Sequence, residues 1–156
     1  MTDLTAFFTD LVRLETRLYN ALDRRLKDEH ELPLGQFEFL RFIDAHGTAR
    51  VYDLAREIAI TVGATSKAVD RLEAAGRIRR TANPSDRRSS LVELTADGRR
   101  ALEAATPTVE AELRTWVGSV LPASAVSQLA TSVSMLRQRA ELDPRTDRHH
   151  SSTAGS

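Results

Sequence analysis

Residues 61–95, TVGATSKAVDRLEAAGRIRRTANPSDRRSSLVELT, decide the fold of this chain. In the first half of this stretch, Val69 and Leu72 fall on one helical face. Thr61 stands just before that pattern and offers a hydroxyl group that can cap a helix N-terminus. Together these features predict a helix over residues 62–75.

A β-hairpin is predicted directly after this helix. Gly76 ends the helix, and residues 77–81 and 90–94 have the composition of short strands. Between them lies the sequence Asn-Pro-Ser-Asp, in which Pro84 presets a turn. Strand, polar turn and strand therefore predict a hairpin whose loop is longer than a two-residue turn.

Amphipathic helices are predicted before this unit, where apolar residues recur at steps of three and four. The first helix spans residues 4–26, and the second spans residues 35–46 and ends at Gly47. A third begins between Arg50 and Asp53, without a clear N-cap. Two short helices with a tight connection, followed by a basic hairpin, form a winged helix-turn-helix, which here covers the stretch up to the second strand.

Two more helical segments are predicted after the hairpin. Thr95 caps a helix that continues to Val120 with a kink at Pro107, and Pro122 ends it. The last helix has an apolar seam at Val126, Leu129, Val133 and Leu136. This spacing suits packing against a partner helix, so we expect a homodimer. The alternative is that these helices pack within one chain.

The charged residues are unevenly distributed, although the formal net charge is zero. Residues 61–90 contain seven Lys/Arg and three Asp/Glu, a net charge of +4, whereas residues 1–60 and 91–156 carry −3 and −1. A cationic excess in one short stretch is expected when one surface faces the phosphates of nucleic acid. Chance clustering is the alternative.

The predicted fold class is α+β, mainly α with a small β-hairpin wing: a winged helix-turn-helix with N- and C-terminal dimerisation helices. We divide the chain into four parts. They are an N-terminal dimerisation helix (1–32), a winged helix-turn-helix DNA-binding domain (33–98), C-terminal dimerisation helices (99–142) and a disordered tail (143–156). The tail is polar and has no periodicity, which is typical of disorder.

The overall composition excludes several classes of protein. At 156 residues, with 41% hydrophobic and 28% charged residues, the chain has an ordinary globular composition. No run of about 18 apolar residues and no signal-peptide pattern occurs, which predicts a cytoplasmic protein without membrane contact. The absence of cysteine excludes disulfides, thiolate zinc sites, a nucleophilic cysteine and a thiol redox sensor.

The predicted helix at residues 62–75 has a face suited to the major groove of DNA. A helix that enters this groove needs small or polar side chains at its exposed N-terminal end. The sequence supplies them as Gly63, Ala64, Thr65, Ser66 and Lys67. Arg71 lies one turn beyond Lys67 and suits a phosphate. The alternative is an ordinary solvated helix face.

The hairpin loop supplies a second DNA-facing feature. Arg87 and Arg88 follow a rigid turn, so they lie at a tip from which an arginine reaches the narrow minor groove. Asp86 stands two residues before Arg88, where its carboxylate can accept a hydrogen bond from the Arg88 guanidinium and fix its direction. An ordinary surface salt bridge is the alternative.

Four segments together resemble the multiple-antibiotic-resistance regulator (MarR) family. They read LGQFEFL at residues 34–40, LA at 54–55, VDRLEAAG at 69–76 and DRRSSLVELT at 86–95. The last segment is similar to the family pattern DxRxxxxxLT, and it is followed by Gly98. The resemblance covers most of the chain and implies a dimeric regulator, usually a repressor and less often an activator, that binds pseudo-palindromic DNA.

The resemblance also implies roles for individual residues. The helix that includes Lys67 would read the major groove, and Arg88 would enter the minor groove with Asp86 as its brace. Arg87 is then expected to contact a phosphate. Two positions depart from the family: Lys67 replaces a common arginine, and Arg50 replaces a common capping threonine or serine. Lysine cannot make a forked contact, so base preference is expected to differ.

Many members of this family respond to small anionic or aromatic effectors that bind between the dimer helices and the DNA-binding lobe. By resemblance, the candidate lining residues are Arg13, Arg17, Tyr19, His46 and Trp116. Each of these types also serves as an ordinary packing or surface residue. The thiol-oxidation response of some relatives is excluded because the chain has no cysteine.

Three other functions fit the sequence less well. The segments Asp28-Glu29-His30-Glu31 and His149-His150 contain metal-binding residue types, but neither supplies three or four ligands in fixed geometry, so we predict no metal. No glycine-rich phosphate loop or nucleophile elbow occurs, so we predict no enzyme and no cofactor. A winged-helix module that binds protein remains as an alternative, against which the basic hairpin argues.

Overall fold

A computed structural model describes residues 3–58 and 62–143. Within these residues the chain forms six α-helices, a π-helical turn and three β-strands. The helices are α1 (Leu4–His30), α2 (Leu34–His46), α3 (Val51–Glu57), α4 (Val62–Ala74), α5 (Ala96–Leu113) and α6 (Ala123–Glu141). The strands are β1 (Ala49–Arg50), β2 (Ile78–Ala82) and β3 (Ser90–Leu94), and the π-helical turn is Arg114–Gly118. The predicted mainly α class with a small β-hairpin wing is confirmed.

The three strands form an antiparallel sheet in the order β1-β3-β2. β2 and β3 form the predicted hairpin, in which Ile78 pairs with Leu94 and Ala82 pairs with Ser90. β1 adds a third strand that the sequence did not predict, with Ala49 opposite Val92. This strand fixes the segment before α3 to the base of the wing.

The core joins the winged helix-turn-helix to α1 and α5. Its fully buried side chains include Leu26 of α1, Phe37 and Ile43 of α2, Leu54 of α3, Leu72 of α4, Val92 of β3 and Ala105 of α5. Hydrophobic burial on this scale stabilises the fold most strongly near the middle of the chain. The core therefore crosses both of the divisions predicted near residues 32 and 98.

α1 is longer than the helix predicted over residues 4–26. The segment after Leu26 is polar, but it stays helical because side chains one turn apart form ion pairs on its exposed face. The Lys27 Nζ–Asp23 Oδ2 distance is 2.6 Å, and the Arg25 Nε–Glu29 Oε1 distance is 2.7 Å. The helix ends only at Glu31, which adopts a left-handed conformation with φ 50°.

The junction between the wing and α5 depends on one hydroxyl group. Thr95 Oγ1 accepts a hydrogen bond from the Gly98 backbone N–H at 3.0 Å, which confirms the predicted N-cap. The same hydroxyl donates to the backbone carbonyl of Gly76 at the end of α4, at 2.6 Å. A Cβ atom at position 98 would overlap the backbone carbonyl of Arg77. Gly98 therefore permits close contact between α5 and the start of the hairpin.

The two ends of the described chain pack least. None of the α6 side chains, all of which the structure describes, is buried. The N-terminal half of α1 also exposes its apolar side chains. The predicted cap Thr61 and residues 144–156 of the predicted disordered tail lie outside the described residues. No helix in the described part of the chain combines the length and apolar character needed to cross a membrane.

Candidate nucleic-acid interface

One side of α4 carries most of the residues predicted to face DNA. Gly63, Ala64, Lys67 and Arg71 are exposed, and Ser66 is half-buried. They occupy the first two and a half turns of the helix, where the side chains nearest the surface are small. The structure therefore brings these five positions to one accessible helix surface.

Thr65 does not belong to that surface. Its side chain is fully buried, so its prediction as a DNA-facing residue is corrected. Thr65 lies four residues before Val69 and seven before Leu72, and all three are fully buried. That helical spacing places the threonine on the core face, and the same spacing was visible in the sequence.

The loop of the wing is held by the side chain of Asn83. Its Nδ2 donates to Ser89 Oγ at 2.8 Å, and its Oδ1 accepts from the Ser85 backbone N–H at 3.0 Å. Asn83 is itself buried. Because a buried amide with both ends satisfied resists rearrangement, the loop keeps one shape before any ligand arrives.

Asp86 shapes the loop by a contact that differs from the predicted one. Its Oδ1 accepts from the backbone N–H of Arg88 at 2.9 Å, and its backbone carbonyl accepts from the Ser89 N–H at 3.1 Å. The predicted bond to the Arg88 guanidinium is therefore wrong for this structure. The carboxylate fixes the backbone that carries Arg88 and leaves its guanidinium free of ion pairs with any carboxylate in residues 3–58 and 62–143.

Two basic residues of the same stretch are already paired within the chain. Arg80 of β2 contacts Asp70 at 2.5 Å and Glu73 at 2.9 Å, which ties the hairpin to α4. Arg79 contacts Glu93 across the hairpin at 2.6 Å. These arginines contribute to the net charge of the stretch but serve internal contacts.

The remaining basic residues are differently placed. Among described residues, none of these four side chains has a carboxylate partner within the ion-pair distance of 4.0 Å: Lys67, Arg71, Arg87 and Arg88. All four are exposed. The cationic excess read from the sequence therefore reduces to α4 and the wing tip.

A groove of about 400 Å³ separates α4 from the wing. Its lining residues come from the β1–α3 junction, α4 and the wing: Arg50, Val51, Tyr52, Ser66, Asp86, Arg88, Ser89 and Ser90. Sequence reasoning identified Ser66, Asp86 and Arg88, but it assigned no DNA contact to Arg50 or Tyr52. The absence of a capping residue at Arg50 was the available signal.

The sequence was compared with known families and curated proteins. Residues 32–90 match the model of the MarR family. The multiple antibiotic resistance protein MarR of Salmonella typhimurium is 32% identical over 104 residues, which span 63% of this chain and 72% of that protein. The chain belongs to the MarR family. Two regulators of Bacillus subtilis, YfiV and YwhA, also match, but the chain spans only 44% and 46% of their lengths.

Solved structures of MarR-family regulators share this fold. Sco3205 of Streptomyces coelicolor, a MarR family transcriptional regulator solved in complex with DNA, superposes with a TM-score of 0.81 at 25% identity. The match covers 92% of this chain and 90% of Sco3205. BpsR of Bordetella bronchiseptica, whose DNA binding is regulated by 6-hydroxynicotinic acid, superposes with a TM-score of 0.72 at 26% identity, over 83% of this chain and 98% of BpsR. The MarR family comprises transcription regulators and not enzymes.

The five candidate effector residues do not meet in one pocket of the MarR-family chain. His46 lines a second groove, of about 410 Å³, and its ring stacks on Phe42 with centroids 4.1 Å apart. Arg13, Arg17, Tyr19 and Trp116 do not line that groove. Arg13 and Arg17 are exposed on α1, and Trp116 Nε1 donates to Glu112 Oε1 at 2.8 Å.

Tyr19 packs beside the start of α2. Its hydroxyl oxygen lies 3.7 Å from the position that a Cβ atom would take at Gly35. Burial of this hydroxyl, reinforced by the nearby charge of Asp23, raises the pKa of Tyr19. The phenol therefore remains neutral at neutral pH and acts as a hydrogen-bonding group.

The acidic segment around His30 is occupied by internal contacts. His30 Nε2 lies 2.8 Å from Thr108 Oγ1, and Glu29 contacts both Arg25 and Thr108. Within the described residues, no group of three or more His, Asp or Glu side chains is placed to hold a metal ion. His149 and His150 lie outside the described residues.

Proposed function

We propose that this chain is a DNA-binding transcription regulator that binds a pseudo-palindromic operator as a homodimer and is released by a small-molecule ligand. One observation carries the proposal. Lys67, Arg71, Arg87 and Arg88 have no carboxylate partner among the described residues, whereas the neighbouring Arg79 and Arg80 are paired. Unpaired cations at two adjacent elements suit the two grooves of a DNA duplex.

In this proposal, α4 enters the major groove and the wing enters the adjacent minor groove. The exposed glycine and alanine at the start of α4 permit close approach, and Lys67 and Ser66 donate to bases or phosphates. Arg88 extends from the fixed loop into the minor groove, where the negative potential is strongest when the groove is narrow. Arg87 and Arg71 contact phosphates.

A homodimer accounts for the apolar side chains that one chain leaves exposed. Leu129, Val133 and Leu136 of α6 are 45%, 46% and 57% exposed, and Phe7, Phe8 and Leu11 of α1 are also exposed. Contiguous apolar surface of this kind marks an interaction site. Pairing these helices between two copies would present two α4 helices to successive turns of DNA, as a pseudo-palindromic operator requires.

The effector is proposed to be a small anionic or aromatic molecule. BpsR supports this class, because its DNA binding is regulated by 6-hydroxynicotinic acid. Four of the candidates, Arg13, Arg17, Tyr19 and Trp116, lie on elements next to the exposed apolar surface. In a dimer these residues would face the partner subunit, so a complete site would need both copies. Release of DNA by the effector makes repression the proposed mode of regulation, and activation is the alternative.

The decisive experiment is a binding titration with duplex DNA taken from upstream of the chain's own gene. We expect sequence-preferring binding that weakens steeply as the salt concentration rises. Lys67→Ala should weaken this binding and leave the dimer intact. Lys27→Ala is the matched control, because Lys27 is the chain's other lysine and is paired with Asp23 far from α4.

Two results would count against the proposal. Salt-insensitive or absent binding to duplex DNA would favour a winged-helix module that binds protein. Equal loss of affinity in Lys67→Ala and Lys27→Ala would remove α4 as the reading helix.

A further inference from the structure

Arg50 stands where three elements of the DNA-facing side meet. It is the last residue of β1 and pairs with Leu91 of β3, so its backbone is anchored to the base of the wing. Its side chain is exposed and makes no capping bond to α3, which begins at the next residue. The side chain therefore contributes nothing to the helix start and extends into the groove between α4 and the wing.

The lining of this groove has the chemistry of an anion site. Arg50 and Arg88 supply two guanidinium groups, and neither has a carboxylate partner among the residues that the structure describes. Tyr52, Ser66 and Ser89 add hydroxyl groups. Asp86 is the one carboxylate in the lining, and one of its oxygens already accepts from the Arg88 backbone N–H.

The position of the groove indicates which anion it holds. In the proposed complex, α4 lies in the major groove and Arg88 lies in the adjacent minor groove. These two grooves of a duplex are separated by one sugar–phosphate backbone. That backbone must pass between α4 and the wing, which is where Ser66 and Arg88 form opposite walls of the groove.

We propose that this groove binds a phosphate of the DNA backbone, and that Arg50 is a phosphate-contacting residue supplied by neither α4 nor the wing. The inference rests on the proposed DNA-binding function. Arg50 and Arg88 flank the strand, and the Tyr52 hydroxyl donates to the same phosphate or its neighbour. The DNA-contacting surface thus extends across the β1–α3 junction, and its register along the strand is fixed by the sheet pairing of β1.

The test compares Arg50→Ala with the wild-type protein in titrations against operator DNA at several salt concentrations. Loss of one phosphate contact should lower the slope of log affinity against log salt by about 0.9. Affinity at about 0.1 M salt should fall roughly 5- to 10-fold. Because phosphates carry no sequence information, the preference for operator over unrelated DNA should stay the same.

Arg56→Ala is the matched control. Arg56 is exposed on the same short helix and does not line the groove. Its removal takes away the same charge, so it should leave the salt slope near the wild-type value. Arg50→Lys keeps a cation and should keep most of the slope. Thermal unfolding and sedimentation of each variant should match the wild type.

A change on the DNA makes the test independent of the fold of the variant. Neutral methylphosphonate groups are placed one at a time along the operator, and wild-type and Arg50→Lys binding are measured. One position should weaken both proteins, and the same position should have no further effect on Arg50→Ala. Equal salt slopes for Arg50→Ala and Arg56→Ala, or a changed sequence preference in Arg50→Ala, would overturn the inference. Failure of the wild type to bind duplex DNA would instead overturn the proposed function.

Discussion

The carboxylate of Asp86 holds the backbone of Arg88, with 2.9 Å between Asp86 Oδ1 and the Arg88 nitrogen. This contact makes the turn at the wing tip and leaves the Arg88 guanidinium to extend outward. The role of Asp86 is thus to supply an acceptor oxygen, and its negative charge opposes an approaching phosphate. Acceptor and charge can be separated, because an asparagine oxygen accepts the same hydrogen bond.

We expect Asp86→Asn to bind operator DNA at least as tightly as the wild type, because it keeps the acceptor and removes an unfavourable charge. Asp86→Ala removes both and frees the Arg88 backbone, so it should bind about 2- to 10-fold more weakly than Asp86→Asn, as expected for one lost hydrogen bond. Fluorescence anisotropy with labelled operator measures both. Equal affinities of the two variants would show that the turn does not depend on this contact.

The two arginines of the wing tip should differ in kind. Arg88→Ala should cost about 1–3 kcal/mol of operator binding and reduce the preference for A·T pairs at the minor-groove position. Arg87→Ala should lower affinity for all duplexes alike and reduce the salt slope by about 0.9. Titrations at fixed salt against operators with A·T or G·C pairs at that position separate them. If Arg88→Ala also acts uniformly, Arg88 contacts only phosphate.

Gly98 and Gly63 provide a matched pair for stability. A Cβ atom at Gly98 would meet the Arg77 carbonyl, whereas one at Gly63 would meet nothing within 4 Å. We expect Gly98→Ala to lower the free energy of unfolding by at least about 1–3 kcal/mol through overpacking. Gly63→Ala should raise it by roughly 0.5–1 kcal/mol through helix propensity. Urea unfolding followed by circular dichroism gives both values, and a neutral Gly98→Ala would contradict the close packing at the α5 junction.

Much of this fold could be predicted because its signals are local. The helices follow from apolar spacing, the hairpin from a polar turn between two short strands, and the Thr95 cap from one hydroxyl before a helical pattern. β1 has no such signal. Its two residues become a strand only by pairing with β3, which lies about forty residues later, and no local pattern encodes that pairing.

The site was predicted less completely, for a reason that lies in the side-chain partners. Composition counts Arg79 and Arg80 with the other basic residues, but the strand pairing sets Arg79 opposite Glu93 and directs Arg80 toward α4. Whether an arginine is available to a ligand depends on contacts between distant residues. Arg50 was missed for the same reason, since only the sheet brings it beside Arg88.

The dimer prediction can be tested without disturbing the core, because α6 buries no side chain. Val133→Glu places a charge in the apolar seam, so sedimentation should show monomers and operator affinity should fall with them. Thr131→Glu adds the same charge on the opposite face of α6 and should remain dimeric. Thermal unfolding should show both variants folded. A dimeric Val133→Glu, or a monomeric Thr131→Glu, would mean that the seam is not the interface.

Arg25 couples α1 to α5 by ion pairs with Glu29 at 2.7 Å and Glu112 at 2.8 Å. Hydrogen bonds from this guanidinium are the main reason that the pKa of Glu29 and the pKa of Glu112 are lowered. A carboxyl group whose pKa is lower in the folded chain stabilises the fold above its ordinary pKa, about 4.3 for glutamate. That stabilisation is lost as the pH falls through the lowered value.

Arg25→Gln should therefore reduce the dependence of stability on pH in the acid range. The measurement is the urea midpoint of unfolding at steps from about pH 7 to about pH 3, which brackets the ordinary glutamate pKa. The wild type should lose stability more steeply than Arg25→Gln below about pH 4.3, and the two curves should converge at the acid end because both glutamates are then protonated in each protein. Arg24→Gln removes the neighbouring exposed charge and should follow the wild-type curve. Parallel curves for Arg25→Gln and the wild type would show that these ion pairs do not stabilise the α1–α5 contact.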